Sequence, residues 1–511
     1  MRIKYKTFFV LAAVYLSLPI FIYFVGFYKV IPAILFGALT VFSVFWTVRD
    51  CDKNQDKTAL VQKENEITIS KSTLIISGVS FLLWCFLSGI GGFVWQTYDH
   101  CVRNAVFNDL VKYDWPLYYD MSLQSNPEVH EYFGDGTFAF SYYFTFWLVP
   151  SLFGKLFGLT VGKIVLIIWS AFGVFLAYVG TAFINKKISL ITTAIFIFFS
   201  GWDVLPFLYY TFTNTTDEIF EMEGYAQYFV FACNTTSIYN VFNQVIPIWI
   251  IVTLILSSKN SRSIGFIGSA AFSYTPWGTF TVLPLALCKL IMHIYDLKGA
   301  KDRLKGIFTV NNILMPVILL ASYGLMYTAN PAATHLKGFI WEFYPIGKII
   351  LMYILLMVFD VLPFLLILLK SNKKNPMFLT AVIILALLPM YRITFWNDFC
   401  SRGSMAPLFV LCILLAGYAE KLFSERPKKS KEKADLKLKK MILALVMLIG
   451  FGTPAGVIVT GITFTVTGAE TAAYGIGSFG DIADSNYMYM VEEQFYIKDY
   501  SDSLYFKYLS K

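Results

Sequence analysis

Long apolar runs separated by short polar stretches constrain the fold of this chain more than any other feature. Fourteen of them can be read along the 511 residues. An α-helix needs about 20 residues to cross the hydrocarbon core of a bilayer, and the runs lack the alternation typical of barrel strands. A helix also satisfies its backbone groups internally, which lipid requires. The sequence therefore predicts an all-α polytopic membrane protein with about 12–14 transmembrane helices.

The predicted spans divide the chain into regions. Residues 1–72 form an N-terminal helix pair with a cytoplasmic loop, and 73–424 form the transmembrane core. A basic cytoplasmic loop, 425–439, precedes a last helix with an external tail, 440–511. External loops are expected at 96–138, 207–242, 329–344 and 392–405. The spans are read at 7–28, 30–47, 73–95, 139–157, 162–184, 188–206, 243–257, 263–277, 279–295, 310–328, 345–370, 377–391, 406–423 and 440–463.

The basic residues orient the chain in the membrane. The chain is only 14% charged, against about 25% in soluble domains, and most of its 41 Lys and Arg residues lie at the N-terminus or in short stretches between spans. This bias marks the cytoplasmic side. It explains the net charge of +8 without a nucleic-acid partner, and it predicts a multi-pass protein of the cell membrane with a cytoplasmic N-terminus. Members of these stretches are Arg2, Lys4, Lys6, Lys186, Lys187, Lys298, Lys301, Arg303, Lys305, Lys373, Lys374 and the run 421–440.

The number of spans and the distribution of basic residues predict opposite orientations for one part of the chain. If all fourteen runs cross, Lys186 and Lys187 lie outside, whereas the basic stretch 421–440 requires them to lie inside. Short basic loops are the better indicator of orientation. We therefore expect one element not to cross fully, and 139–157, with Pro150, Gly154 and Lys155, is the candidate for a re-entrant or interfacial segment.

An acid, Asp99, follows the third apolar run, where a helix should leave the bilayer. Arg103 lies four residues on, and helical spacing of apolar residues predicts an amphipathic surface helix that holds both side chains on one face. A carboxylate can take a proton from a hydroxyl, and a guanidinium can grip a phosphate with two hydrogen bonds. The pattern indicates either a catalytic site for a lipid-borne substrate or an interfacial salt bridge. His100 and Asn104 are candidate substrate-binding neighbours.

The external stretch 392–404 holds a second candidate, Arg402, at the start of a helix. Its guanidinium could meet a phosphate with the help of the helix N-terminus, or it could pair with Asp398 in a structural turn. Asn397 and Asp398 are the polar neighbours that would contact substrate.

Further polar residues have two interpretations each. Asp203, at the outer end of a span, is either a site residue or part of a helix C-terminal turn. Asn243 and Gln244 suit sugar hydroxyls, which want both donors and acceptors, but amides there also serve as helix caps. Asp360 lies within an apolar run and is expected toward the inner half, away from the other clusters, in helix packing or a proton path.

Several acids and all the cysteines carry weaker signals. Asp109, Asp114 and Asp120 are expected on solvated surface. Cysteines expected outside allow one disulfide that cannot be assigned, and no cysteine has metal-ligand spacing. The sequence requires no cofactor and leaves a divalent cation open.

Three motifs, together with the many helices and the acid at the membrane edge, resemble the GT-C superfamily of membrane glycosyltransferases. They are Asp-His-Cys-Val-Arg-Asn-Ala (99–105), Phe-Ser-Gly-Trp-Asp (199–203) and Asn-Asp-Phe-Cys-Ser-Arg-Gly-Ser (397–404), which look like those of uncharacterised bacterial members. The chain departs from the family in that its acidic loop follows the third span instead of the first. His100 also stands where many members have a second acid.

The resemblance implies a GT-C-like core whose external loops form a catalytic cavity. The donor would be a polyprenyl-phosphate-linked sugar within the membrane lipid, and the acceptor a cell-envelope glycan, lipid or protein. Asp99 would be the catalytic base, Arg402 and Arg103 would bind the donor phosphate, and the other site residues would bind substrate. Two alternatives stay open: a transporter or flippase of a lipid-linked or anionic substrate, and a non-catalytic subunit of a cell-envelope complex that presents 464–511.

Overall fold

The computed structural model describes residues 1–51, 65–123, 136–213, 215, 222–297, 299–330, 336–394, 397–427, 430–471, 477–479 and 495–511. Helices dominate these ranges. In chain order they are α1 (Tyr5–Phe27), α2 (Val30–Asp50), α3 (Lys71–Leu87), α4 (His100–Lys112), α5 (Leu148–Phe157), α6 (Leu159–Asn185), α7 (Leu190–Phe198), α8 (Val204–Phe212), α9 (Asn234–Ser257), α10 (Ile264–Ser269), α11 (Pro276–Tyr295), α12 (Ala300–Ile307), α13 (Leu314–Thr328), α14 (Ile346–Leu356), α15 (Leu362–Asn372), α16 (Pro376–Leu387), α17 (Asp398–Ser424), α18 (Ser430–Gly450) and α19 (Gly452–Thr467).

The apolar helices confirm the predicted class, an all-α polytopic membrane protein. Within the described ranges, eight helical stretches are long and apolar enough to cross a membrane. They are Tyr5–Phe27, Val30–Asp50, Leu159–Asn185, Asn234–Ser257, Pro276–Tyr295, Ile346–Asn372, Asp398–Ser424 and Ser430–Thr467. Five shorter apolar helices pack beside them, at Lys71–Leu87, Thr145–Phe157, Ile264–Ser273, Leu314–Thr328 and Pro376–Met390. The predicted span 188–206 is broken, since α7 ends at Phe198 and α8 begins at Val204.

Contacts between helix ends show that the turns lie at two opposite ends of the helix bundle. At one end Arg402, in the first turn of α17, reaches Asp99, and the N–H of Lys511 donates to the carbonyl of Phe27; we call this the Asp99 end. At the opposite end, the hydroxyl of Tyr5 donates to the carbonyl of Ser257. Because each long helix runs between the two groups, the polar turns collect in two layers.

The lysine pair Lys186–Lys187 lies at the opposite end, as its charge predicts. Lys187 contacts Glu420 (3.6 Å) and Ser424 near the C-terminus of α17, a full helix away from Asp398. Residues 139–157 begin and finish at the Asp99 end: the hydroxyl of Ser141 donates to the carbonyl of Met326, and Lys155 donates to the carbonyl of Tyr113. This segment therefore returns without crossing.

Short antiparallel strands join neighbouring segments at each end of the bundle. They are β1 (Arg2–Lys4), β2 (Glu66–Thr68), β3 (Tyr118–Asp120), β4 (Thr137–Phe140), β5 (Lys337–Phe339), β6 (Tyr391–Ile393) and β7 (Tyr496–Ile497). The pairs are β1–β2, β5–β6 and the sheet β3–β4–β7. The last of these joins the C-terminal tail to the first long loop, with Ala139 opposite Ile497. Tyr496 and Ile497 of the tail are therefore part of a sheet with the residues that follow the first long loop.

Asp109 on α4 fastens the tail a second time. Its carboxylate is fully buried and accepts hydrogen bonds from the hydroxyl of Tyr119 (2.8 Å), the N–H of Phe479 (2.9 Å) and the hydroxyl of Ser478. The expectation of a solvated Asp109 is wrong, because the tail that covers it is distant in sequence. Asp114 and Asp120 are exposed as predicted.

Candidate active site

Helix α4 begins at His100 and presents Asp99 in its N-cap position. The preceding loop, 88–99, contains glycines with positive φ. Gly89 (φ +87°) is required, because a Cβ there would lie 2.9 Å from the carbonyl oxygen of Trp95. Gln96 then folds back to donate to the carbonyl of Gly89 (2.7 Å). The tight loop fixes where the surface helix starts and so where the carboxylate of Asp99 sits. The helix predicted here is confirmed, and its placement along the membrane surface stays a prediction.

Two acids and two arginines form an ion-pair ladder at this position. Arg103 Nη2 lies 3.2 Å from Asp99 Oδ2, and Arg402 Nη2 lies 3.9 Å from the same oxygen. Arg402 also pairs with Asp398 Oδ1 at 3.3 Å. The side chain of Asp99 is 35% exposed, whereas those of Arg402 and Arg103 are 18% and 5% exposed. The structure thus brings together distant residues that the sequence marked separately and leaves the carboxylate accessible.

Each of the two guanidinium groups has one N–H donor, at Nε, that pairs with no described residue. The Nε atoms of Arg103 and Arg402 are buried and have no hydrogen-bond partner among the residues that the structure describes. A buried donor without a partner costs about 1–3 kcal/mol. An oxyanion at this position would relieve that cost at two points, which is what a phosphate-binding site provides.

Tyr142 and Tyr143 border the ladder, and sequence reasoning missed both. Their rings lie 3.8 Å apart between centroids. The guanidiniums of Arg103 and Arg402 act on the pKa of each hydroxyl, but burial has the larger effect and raises the pKa of both above the ordinary value. The pair follows β4 after one residue, Ser141, at the start of the segment 139–157. Aromatic residues are common at membrane interfaces, so these two did not stand out in the sequence.

His100 and Asn104 form hydrogen bonds with the protein. His100 Nε2 lies 3.0 Å from the carbonyl oxygen of Ser88, and its ring stacks on that of Phe242. Burial lowers the pKa of His100 to about 4, so the ring is neutral at pH 7. Asn104 and Gln96 exchange hydrogen bonds of 2.8 and 3.2 Å. Both residues hold α4 in place, and their predicted contacts with substrate stay predictions.

Asn243 and Gln244 lie in the central helix α9, just after an irregular residue, Val241 (φ −141°, ψ 37°). Both side chains are fully buried, and none of their amide N and O atoms has a partner within the described part of the chain. They follow Phe242, whose ring stacks on that of His100. Neither amide is a helix cap, because α9 begins at Asn234.

Asp203 lies in a different cluster. Its Oδ2 accepts from Ser200 (2.6 Å), and its carboxyl group interacts with that of Asp360. The hydroxyl of Tyr225 donates to Asp360 Oδ2 (2.9 Å), and Gly201 packs so closely that a Cβ there would lie 2.5 Å from Asp360 Oδ1. The prediction that Asp360 sits apart from the other clusters is therefore wrong. Asp203 precedes α8, so it starts a helix instead of ending one.

Asn397 and Asp398 shape the turn that presents Arg402. Asn397 has a left-handed φ of 53°, which asparagine tolerates better than most residues, and its Nδ2 donates to the carbonyl of Tyr228 (3.0 Å). Asp398 accepts from the hydroxyl of Thr394 (2.9 Å) as well as pairing with Arg402. Both readings of Asp398, structural turn and site neighbour, fit this geometry.

The described ranges contain neither a cluster of metal ligands nor a disulfide bond. Among the described residues, no group of three or more His, Cys, Asp or Glu side chains could hold a metal ion. None of the seven cysteines, all of which lie within the described ranges, forms a disulfide. No family model, no curated protein and no solved structure matches this chain.

Proposed function

We propose that the protein is a membrane glycosyltransferase that moves a sugar from a polyprenyl-phosphate carrier to a cell-envelope acceptor. The observation that carries this proposal is the ladder. The accessible carboxylate of Asp99 lies between the guanidiniums of Arg103 and Arg402, and the Nε–H of each has no partner among the described residues. A reaction that removes a proton from a hydroxyl while a phosphate departs needs this combination of groups.

The proposed step is a substitution at the anomeric carbon of the sugar. The acceptor hydroxyl oxygen forms a bond to that carbon and gives its proton to Asp99. The bond between the anomeric carbon and the carrier's phosphate oxygen breaks, and the phosphate leaves with the electron pair. Arg402 and Arg103 stabilise the negative charge on the departing phosphate through charge-assisted hydrogen bonds.

The sugar would bind to the buried amides of Asn243 and Gln244. Their unpartnered donors and acceptors match the mixed hydrogen bonding of hydroxyl groups. No charged residue is needed for such a contact, which suits an uncharged sugar ring. Asn397, whose Oδ1 is also buried and unpartnered within the described residues, would add an acceptor near Arg402.

The orientation of the bundle supports transfer on the external face. Basic stretches such as Lys186–Lys187 and Lys301–Lys305 lie at the opposite end from Asp99. The positive-inside bias assigns that end, with the N-terminus, to the cytoplasm of a cell membrane. Asp99 and the described part of the C-terminal tail would then face outward.

The test is transfer by the purified protein in lipid vesicles. A panel of labelled polyprenyl-phosphate sugars is supplied with a cell-envelope fraction as acceptor, and released polyprenyl phosphate is measured. Asp99→Asn should lower the rate by about 10²–10⁴-fold, the usual contribution of general-base catalysis. Asp114→Asn, which changes an exposed acid in the same loop, is the matched control. Full activity of Asp99→Asn would refute the assignment.

Transport is the second candidate, and one observation favours it. Asp203 and Asp360 form a buried carboxyl pair, and Asp360 lies midway along the stretch Ile346–Asn372. Carboxyl groups at that depth often carry protons in transporters. A vesicle flux assay on Asp360→Asn and a transfer assay on Asp99→Asn separate the candidates. Flux by the wild type that Asp360→Asn loses assigns transport, whereas sugar transfer that Asp99→Asn loses and Asp360→Asn keeps assigns the transferase.

A further inference from the structure

We infer that helix α12 lies along the membrane surface at the end of the bundle opposite Asp99 and binds anionic phospholipid headgroups there. Four exposed side chains form this surface, which we call the α12 face: Lys301, Leu304, Lys305 and Phe308. None of them takes part in the proposed transfer of sugar. The inference therefore stands or falls separately from the proposed function.

The spacing of the four residues places their side chains on one side of the helix. They stand at positions i, i+3, i+4 and i+7, which are neighbours on a helix surface. Leu304 and Phe308 are 54% and 67% exposed, whereas Gly306, two residues from each, is buried. Residues two apart do not face the same way, so the helix packs through Gly306 and turns the α12 face outward.

Hydrogen bonds hold α12 at the opposite end of the bundle. The carbonyl of Gly306 accepts from Asn312 Nδ2 (3.0 Å). The hydroxyl of Thr309, just beyond the helix, donates to the carbonyl of Arg262 (2.7 Å). Arg262 lies in the turn that follows α9, whose C-terminus contacts Tyr5 at this end. The helix is thus attached to the body of the protein at the level of these turns.

The neighbouring helices place α12 at the depth of the lipid headgroups. Helix α11, which is long and apolar enough to cross a membrane, ends at Tyr295, a short turn before α12. Leu287, Ile291 and Tyr295 are exposed and repeat every four positions, so they form a stripe that faces lipid and reaches this boundary. Because the apolar helix α13 follows, α12 connects two apolar helices at the bilayer edge. An amphipathic helix there inserts its apolar side among the headgroups and upper acyl chains.

The charge of α12 favours an anionic partner. The helix has three basic residues and one acidic residue, Asp302. Lys301 and Lys305 are exposed, and neither forms an ion pair with a described residue. Their long side chains can reach headgroup phosphates while Leu304 and Phe308 insert below them. A lipid surface with negative headgroups matches both the basic and the apolar side chains of the α12 face, so we assign it this occupant.

Hydrogen exchange of the full chain in lipid nanodiscs tests the inference. The discs contain phosphatidylcholine with increasing fractions of phosphatidylglycerol, and exchange is followed in peptides that cover α12. The variants are Lys301→Gln, Lys301→Gln/Lys305→Gln and Leu304→Ser/Phe308→Ser. The matched control is Lys431→Gln/Lys433→Gln, which removes two exposed charges from the start of α18 at the same end of the bundle. Thermal melting in phosphatidylcholine discs checks that each variant is folded.

We expect exchange in α12 to slow as phosphatidylglycerol replaces phosphatidylcholine. A lysine near an anionic surface strengthens the attraction about fivefold, so Lys301→Gln should raise the fraction of phosphatidylglycerol that gives half of the protection by about fivefold. The double lysine variant should show no protection by phosphatidylglycerol, and the control should match the wild type. Leu304→Ser/Phe308→Ser should exchange faster than the wild type in both lipids, because its apolar side no longer inserts.

Three outcomes would overturn the inference. Equal exchange of wild-type α12 with and without phosphatidylglycerol would show that the helix does not respond to headgroup charge. An equal loss of protection in the Lys431→Gln/Lys433→Gln control would assign the effect to the total charge of this end of the bundle. Protection that requires two copies of the chain in one disc, in either lipid, would assign the α12 face to a second copy.

Discussion

The two acidic clusters at and near the Asp99 end differ in how their charge is compensated. Asp99 and Asp398 each face a guanidinium, and the side chain of Asp99 is partly open to solvent. Asp203 and Asp360 are buried beside each other, and neither has a cationic partner in the described part of the chain. Similar residues are therefore compensated by guanidinium groups in one cluster and by hydrogen bonds from the neutral hydroxyls of Ser200 and Tyr225 in the other.

Removing the guanidinium of Arg402 should have an effect close to that of removing the carboxylate of Asp99. Arg402→Gln is expected to lower sugar transfer by about 10²–10³-fold, because one electrostatic stabiliser of the departing charge is lost. The double variant Asp99→Asn/Arg402→Gln should lose much less of its transfer rate than the product of the two single losses, because the two groups act in one step. Transfer assays on the three variants measure this. Multiplicative losses would indicate that the two residues act independently.

His100 predicts a pH dependence of stability. Its pKa is about 4 in the fold and about 6.5 in an unfolded chain, so the unfolded state binds the proton more readily. The contribution is therefore complete above pH 6.5 and is lost as the pH falls toward 4, by about 3 kcal/mol in total. Thermal melts at pH 7.5 and 5 should show a larger drop for the wild type than for His100→Gln. Equal drops would contradict a buried neutral imidazole.

Asp109 offers a structural acid for comparison with both clusters. Asp109→Ala removes the acceptor of three buried hydrogen bonds and should destabilise the protein by about 1–3 kcal/mol. It should also expose the tail to protease before the helices unfold, because Ser478 and Phe479 lose their attachment. Limited proteolysis read with a C-terminal tag measures this, with Asp120→Ala as the exposed control. Unchanged cleavage would refute the fastening role.

Asp360→Asn should have the smallest effect. An amide can still accept from Tyr225 and donate to Asp203, so the free energy of unfolding should change by less than about 1 kcal/mol. Sugar transfer should keep more than half of its wild-type rate. Thermal melting and the transfer assay measure the two quantities. A loss of transfer rate as severe as that of Arg402→Gln would show that the two acidic clusters do not differ in this way.

Local patterns predicted much of this molecule because their cause is local. The apolar runs required helices, the spacing of Asp99 and Arg103 placed them on one face of α4, and the lysine pair correctly indicated that 139–157 does not cross. The errors share another origin. Asp109 and Asp360 were misjudged because their partners, Phe479 and Tyr225, are distant in sequence. The tyrosine pair was missed since aromatic residues at a membrane edge have an ordinary explanation.

The sequence by itself determined the class of protein, because lipid leaves an apolar chain few ways to satisfy its backbone. It also predicts which end of the bundle faces the cytoplasm, from the placement of basic residues. Only the tertiary structure decided that Arg402 meets Asp99, that Tyr142 and Tyr143 border them, and that the C-terminal strand closes over the first loop. Those contacts join segments up to several hundred residues apart, and they depend on how the helices pack, which no local pattern encodes.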